Sequence, residues 1–291
     1  MSDNVFMNTS LLSIIEETLR FNLVAHDVLQ TAHELRTNWI VLPTDVVAFI
    51  PQGRGEITFR ESGKTCQIGH GCAILSPGGM VRKNCFLPER GQLVIHWAHV
   101  RYEIMRGFNL LNLFRFPKVF DGSAAAAIGQ ALKGITSPDS APAGKGVASI
   151  ARGKALGMEL LAGLTRECAL RENAQDLLNQ YRSHADIIGH IEDHLREKIT
   201  VADLAKLNHL SVSRFHRVFK SATGRSPTDF IIDRRVQTAK RLLSTTTMSL
   251  SEIADAAGFS NAYYFSRMFK RFEGASPSAY RQSLSNENAI F

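Results

Sequence analysis

Arg217 and Arg267 stand fifty residues apart in matching surroundings. Each has one phenylalanine two residues before it (Phe215, Phe265), another two residues after it (Phe219, Phe269), and then a lysine (Lys220, Lys270). Residues four apart share one face of a helix, so each phenylalanine pair marks a buried face with the arginine opposite. The outer face carries Ser213, His216 and Arg217 in the first copy, and Asn261, Ala262, Tyr263, Ser266 and Arg267 in the second. A guanidinium fork matches O6 and N7 of guanine, and a carboxamide such as that of Asn261 matches adenine; His216 and Ser266 are less selective readers. Lys220, Lys270 and Arg271 come late in their helices, where a cation fixes register on phosphates without reading sequence. A lone surface cation is ordinarily only solvated, which is the reading for Lys198 and Lys206. The repeated setting of Arg217 and Arg267 argues instead for contact with DNA.

These side chains need a frame, and the repeat supplies it. One half runs Thr200–Ala205, Leu210–Lys220, Gly224–Pro227; the other runs Ser249–Ala254, Phe259–Lys270, Gly274–Pro277. Ala205 and Ala254 are 49 apart, whereas Phe215/Phe265 through Pro227/Pro277 are 50 apart, so one residue is inserted between the helices of the second half. Thr200 and Ser249 fit N-caps, with Asp203 and Glu252 at the capping-box position, where Asp is the weaker match. Leu204-Ala205 and Ile253-Ala254 face inward, and the next helices begin near Ser211 and Ser260 with cap chemistry again. Gly224 and Gly274 end those helices, and Ser226-Pro227 and Ser276-Pro277 open the following ones. Two helices crossing at a short turn make a helix-turn-helix, with recognition helices expected over 211–222 and 260–272. The segment Pro227–Leu243 between them predicts a helix of about 17 residues, about 25 Å long. Such a rod holds two recognition helices roughly one DNA turn, about 34 Å, apart.

The run Gly258–Lys270, followed by Ser276–Arg281, closely resembles the signature of the AraC/XylS family, and the resemblance extends over 184–284, including Arg235–Leu243. Phe215 departs from the pattern, since the family often has Leu there. The resemblance implies a sequence-specific transcription regulator, activator or repressor, with double-stranded DNA and RNA polymerase as partners. It places the outward residues above at base edges or nearby phosphates. It further implies an N-terminal cupin-like barrel that senses a small molecule, and helices that make a homodimer.

The remainder of the chain is less informative. With 291 residues, 44% hydrophobic and 21% charged, one large or two ordinary globular domains are expected. The formal charge of +7 suits a polyanionic partner. Apolar runs are short, which predicts no membrane-spanning helix, and the N-terminus lacks the pattern of a secretory signal. Cys66, Cys72, Cys85 and Cys168 form no close pair and are expected as reduced thiols of a cytoplasmic protein. Leu11, Leu12, Ile15, Leu19 and Leu23 at helical spacing, after a possible cap at Ser10, predict a helix over 9–35. Short apolar runs punctuated by Gly and Pro over 38–104 predict an all-β sandwich or barrel. Helices are expected over 118–182, broken by a loop at 137–144. The leucine stripe Leu156, Leu160, Leu161, Leu164 either covers the β domain or pairs with a second chain.

The expected fold class is therefore α+β: a cupin-like β-barrel sensor domain (1–115), a helical linker or dimerisation segment (116–182), and an all-α double helix-turn-helix domain (183–291). Two other classes stay open, a metal-dependent cupin enzyme fused to a DNA-binding domain and an effector-independent DNA binder. Against the first, Gly79-Met80-Val81-Arg82 has no histidine after the Pro-Gly turn, and His96 and His99, three apart on a strand, face opposite sides. His70 alone says little. No catalytic residue, metal ligand or cofactor is expected. Arg82 or Trp97 would suit a ligand carboxylate or a sugar face, but each fits surface or core equally well, so no effector-binding residue is assigned.

Overall fold

A computed structural model describes residues 9–42, 44–105, 107–137 and 147–286. The chain forms two compact units: Met1–Arg106 with Leu113–Arg171, and Gly107–Asn112 with Glu172–Phe291. In chain order the first unit begins with α1 (Thr9–Thr18), β1 (Arg20–Thr31), β2 (Leu35–Arg36), β3 (Ile40–Val41), β4 (Asp45–Gln52) and β5 (Arg54–Phe59). It continues with β6 (Thr65–Ile68), β7 (Cys72–Ser76), β8 (Val81–Leu87) and β9 (Leu93–Ile104). After β10 (Phe108–Asn109) and one 3-10 turn, the chain re-enters the first unit through β11 (Phe114–Arg115), α2 (Gly122–Thr136), α3 (Val147–Thr165) and β12 (Ala169–Leu170).

Two antiparallel sheets, β1-β9-β4-β7 and β2-β8-β5-β6 with β3 also on β8, make the sandwich, and β11 and β12 pair separately. The sheets share one core in which Ala48, Ile50, Ile74, Leu93 and Ile95 of the first meet Ile57, Phe59, Ile68 and Phe86 of the second. The α+β class is as expected, but the barrel is not closed. The ladders stop at β1 and β7 on one sheet and at β6 and the two-residue β2 and β3 on the other. Strands that short carry too few hydrogen bonds to continue a ladder around a corner.

The helix expected over 9–35 ends at Thr18, and Arg20–Thr31 pairs antiparallel with β9 along its length. A four-residue spacing is also a multiple of the strand period, so Leu19 and Leu23 cannot distinguish the two structures. The β-branched Val24 and Val28 suit a strand, and the long partner β9 decides the matter. On the outer face of that sheet lie α2 and α3. A Cβ added to Gly157 would come within 2.1 Å of Phe21, so the helix rests directly on the ring. The Tyr102 hydroxyl donates to the Gly157 carbonyl at 2.6 Å. Leu160 and Leu164 are fully buried, and Leu156 packs at Gly134 of α2, so the leucine stripe covers its own unit. Of the loop expected at 137–144, residues 138–144 lie outside the described residues.

The second unit holds α4 (Ala174–Ser183), α5 (Ala185–Asp193), α6 (Val201–Leu207), α7 (Val212–Thr223) and α8 (Pro227–Thr245). It ends with α9 (Leu250–Ala256), α10 (Ala262–Glu273) and α11 (Pro277–Asn286). The change of texture near residue 182 suggests a boundary there, but α4 already belongs to the helical unit. Its Leu178 and Tyr181 are buried, and Phe108 packs edge-on against Tyr181 with ring centroids 5.1 Å apart. Composition does not reveal this, because the contact that ties α4 to the helical unit is made to Phe108, more than seventy residues earlier in the chain.

Candidate nucleic-acid interface

Each half of the repeat folds as a helix pair whose ends are fixed by its own side chains. The Thr200 hydroxyl caps α6 by accepting from Asp203 N at 3.1 Å. In α9 the box is complete: Ser249 Oγ accepts from Glu252 N at 3.2 Å, and Glu252 Oε2 accepts from Ser249 N at 2.7 Å. Hydrogen bonds from the Ser249 hydroxyl and then from its backbone N–H hold the Glu252 carboxyl below its usual pKa. Asp203 is one methylene shorter and bonds only the Thr200 hydroxyl, at 2.5 Å. Ser211 caps α7, whereas α10 is capped by Asn261, one residue later than the expected Ser260, with its Oδ1 accepting from Tyr264 N at 2.8 Å. Gly224 and Gly274 end α7 and α10 in the left-handed region, at φ 76° and 78°.

The phenylalanines seal each pair. Phe215, Phe219, Phe265 and Phe269 are fully buried, and Phe219 meets Phe230 of α8 edge-on at 5.4 Å. The second half closes over Ile253, Ala254, Phe259, Met268 and Phe272, joined by Val236, Ala239 and Leu243 of α8. So α8 belongs to both cores. Its 19 residues give a rod of roughly 28 Å, two residues longer than the sequence suggests.

Burying these faces leaves the opposite faces outside. Ser213, Arg217 and Lys220 are exposed on α7, with His216 half-buried at the flank. On the second helix Asn261, Tyr263, Arg267 and Lys270 are exposed, Tyr263 at 78%, with Ala262 and Ser266 half-buried. Nine of the ten expected positions thus lie on two equivalent helices, and the tenth, Asn261, caps the second of them. Asn261 carries a second duty, since its carbonyl oxygen is engaged in the cap. Arg214, which the sequence reading passes over, shares the exposed face of α7 with Arg217. Its signal was its place one turn before Arg217; in the second half the matching residue, Tyr264, lies beneath the Arg267 guanidinium at 5.6 Å.

Electrostatics separates this surface from the rest of the unit. Buried Asp233 pairs with Arg225 at 2.6 Å, and buried Glu273 pairs with Lys240 at 2.6 Å. Arg271, expected at phosphate, is joined to Asp229 of α8 at 3.3 Å. Among the described residues Arg214, Arg217, Lys220, Arg267 and Lys270 make no ion pair with a carboxylate. The buried acids Asp233 and Glu273 are thus matched internally, and the outer faces of α7 and α10 keep positive charge.

The two turns differ. Gly258, between α9 and α10, has φ +84°, and a Cβ there would lie 1.9 Å from the Leu195 carbonyl oxygen. That carbonyl also accepts from Arg235 Nε at 2.9 Å, and Arg196 Nε donates to the Ala256 carbonyl at 3.1 Å. The segment after α5 is thereby clamped onto the second turn. The equivalent position in the first half is His209, a residue with a side chain at φ 53°.

Residues 204–283 match the helix-turn-helix domain family. The chain is 38% identical over 95 residues to the probable transcriptional regulator LumQ of Photobacterium leiognathi, covering 33% of this chain and 38% of that protein. It is 39% identical over 97 residues to the arabinose operon regulatory protein of Salmonella typhimurium, covering 33% and 34%. A longer match, 28% identical over 251 residues, covers 78% of this chain and 84% of the HTH-type transcriptional activator RhaS of Escherichia fergusonii. Among solved structures, the DNA-binding domain of AdpA in complex with a target DNA is 34% identical, covering 37% of this chain and 96% of that one, with a TM-score of 0.35. The matches to the first relatives span less than half of those proteins' length. Residues 204–283 are thus a helix-turn-helix domain of the AraC/XylS type.

Proposed function

We propose that the protein is a sequence-specific transcription regulator in which α7 and α10 enter successive major grooves on one face of DNA. The observation that carries this reading is the pair of equivalent helices, each presenting unpaired cations outward and held by the one rod α8. Arg217 and Arg267 read guanine, aided by Ser213, His216, Ala262, Tyr263 and Ser266, with Asn261 at the helix start and Lys220 and Lys270 on phosphates. The sensor domain expected over 1–115 responds to a small molecule; the whole acts in the cytoplasm with RNA polymerase as partner and is not an enzyme. For the last point, His96 bonds Thr136 of α2 at 2.7 Å whereas His99 bonds Thr44 at 2.9 Å. The two rings serve opposite faces of the sheet and do not converge as metal ligands must. No described helix is long and apolar enough to cross a membrane.

Footprinting of the full chain on selected sites is expected to show protection over two adjacent major grooves. Protection of a single groove, or none on any selected site, would remove the reading.

The segment 116–182 supplies a dimer contact in this proposal. Its leucine stripe is already used internally, so the contact falls to the start of α3, where Val147 and Ile150 are 83% and 65% exposed. Sedimentation is expected to show a dimer at micromolar concentration and a monomer for the double variant Val147→Asp, Ile150→Asp. A wild-type monomer at high micromolar concentration, with and without DNA, would refute it.

A further inference from the structure

Strand β8 puts Arg82, Asn84 and Phe86 on one face, and Phe86 belongs to the core between the two sheets. Arg82 is opposite Phe59 in register, another member of that core, and is only 6% exposed. Its Nη1 donates across the sandwich to the Ser76 hydroxyl of β7, itself buried. That neutral hydroxyl is its hydrogen-bond partner; no carboxylate among the described residues pairs with it. Its Nε is buried with no hydrogen-bond partner, and so is Asn84 Oδ1, two residues along the same face. A buried guanidinium without a counter-charge is costly. Burial lowers the Arg82 pKa to about 10, so at neutral pH the group nevertheless keeps its proton.

The surroundings are polar in a selective way. His99, bonded to Thr44 at 2.9 Å, is driven down to about 4 by burial and by the charges of Arg82 and Arg101. It is therefore neutral at neutral pH, so it adds no second positive charge beside Arg82 and offers no counter-charge to it. Trp97, whose ring meets His99 edge-on at 5.5 Å, packs against the same core. The site thus presents one unsatisfied cationic donor, one unsatisfied acceptor about 7 Å along the strand, and an aromatic wall.

We propose that this end of the sandwich binds a small hydroxy-carboxylate, with the carboxylate on Arg82 and the hydroxyl donating to Asn84 Oδ1. A carboxylate is the planar acceptor that a guanidinium edge takes with two hydrogen bonds. A ligand hydroxyl is the kind of donor that the orphaned carboxamide oxygen lacks. The inference rests on the effector-controlled reading above only in making this ligand the effector; binding itself requires no DNA.

The two tryptophans, Trp39 and Trp97, both lie in the β unit, so fluorescence melting of the full chain reports that unit alone. The probes are 4-hydroxybutanoate and 6-hydroxyhexanoate, with hexanoate and uncharged 1,6-hexanediol as comparisons. At least one hydroxy acid is expected to raise the melting temperature with the logarithm of its concentration, and the diol to leave it unchanged. Arg82→Met removes an unpaired buried charge; it is expected to raise the melting temperature without probe by about 2–4 °C and to abolish the response. Asn84→Leu is expected to reduce the hydroxy-acid response to that of hexanoate. The proposal is overturned if neither hydroxy acid acts, if the diol acts equally, or if Arg82→Met is destabilised or still responds. Equal responses of Asn84→Leu and wild type to the hydroxy acids overturn the hydroxyl assignment. Loss of the DNA footprint would instead fall on the regulator reading, which that assay tests without ligand.

Discussion

Arg217→Ala and Arg267→Ala are each expected to weaken binding to the preferred DNA site by about 1–3 kcal/mol and to relax preference at one base position. The two arginines occupy equivalent, exposed places on α7 and α10, backed by buried phenylalanines that fix the helix orientation. They are not interchangeable. Arg267 rests over the Tyr264 ring at 5.6 Å, which holds its guanidinium in one place, whereas Arg217 has Arg214 one turn earlier on the same face. Preorganisation lowers the entropic cost of contact, so Arg267→Ala is expected to relax preference more sharply. Lys270→Ala should weaken binding evenly on all sequences and flatten the salt dependence by about one unit of slope. Selection from randomised sites with the three variants distinguishes the roles. If the arginine variants lose affinity evenly and retain the same preferred site, they are phosphate clamps.

A methyl group at the second turn should have the largest structural effect. Gly258→Ala combines a left-handed backbone with a Cβ 1.9 Å from the Leu195 carbonyl oxygen. The backbone conformation alone costs about 1–2 kcal/mol and forced repacking about 1–3 more, so a loss of about 3 kcal/mol is expected. His209→Gly at the equivalent turn should act in the opposite direction. The φ of 53° there is relieved, while added backbone entropy offsets part of the gain, leaving about 0.5–1 kcal/mol. Helical circular dichroism follows these changes in the second unit. Tryptophan fluorescence, confined to the first, should stay unchanged. A Gly258→Ala protein with an unaltered helical transition would show that the segment at Leu195 yields freely and does not clamp the turn.

The recognition elements were legible in the chain because their determinants are local. A cap, a glycine at a helix end, a proline at the first helical position and phenylalanines four apart each act within one or two turns, and the repeat states them twice. The misplaced features were those decided at long range. Leu19 and Leu23 satisfy both helical and strand spacing, and only the partner β9 selects the strand at Arg20–Thr31. The leucines of α3 read equally as a dimer seam or a lid; the close approach at Gly157 to Phe21 and the burial of Leu160 and Leu164 make them a lid.

The sequence by itself determined a double helix-turn-helix with Arg217 and Arg267 facing outward, since helix periodicity and capping chemistry leave one arrangement of each half. Tertiary structure alone decided what the β unit offers. Whether Arg82 lies on the surface or in the core depends on strand register, and a shift of one residue reverses every side chain. The observed pairing of β8 with β5 sends Arg82 and Asn84 inward beside Phe86. Packing of β7 and β9 across the core then surrounds that guanidinium with neutral Ser76 and His99 and leaves its Nε without a partner.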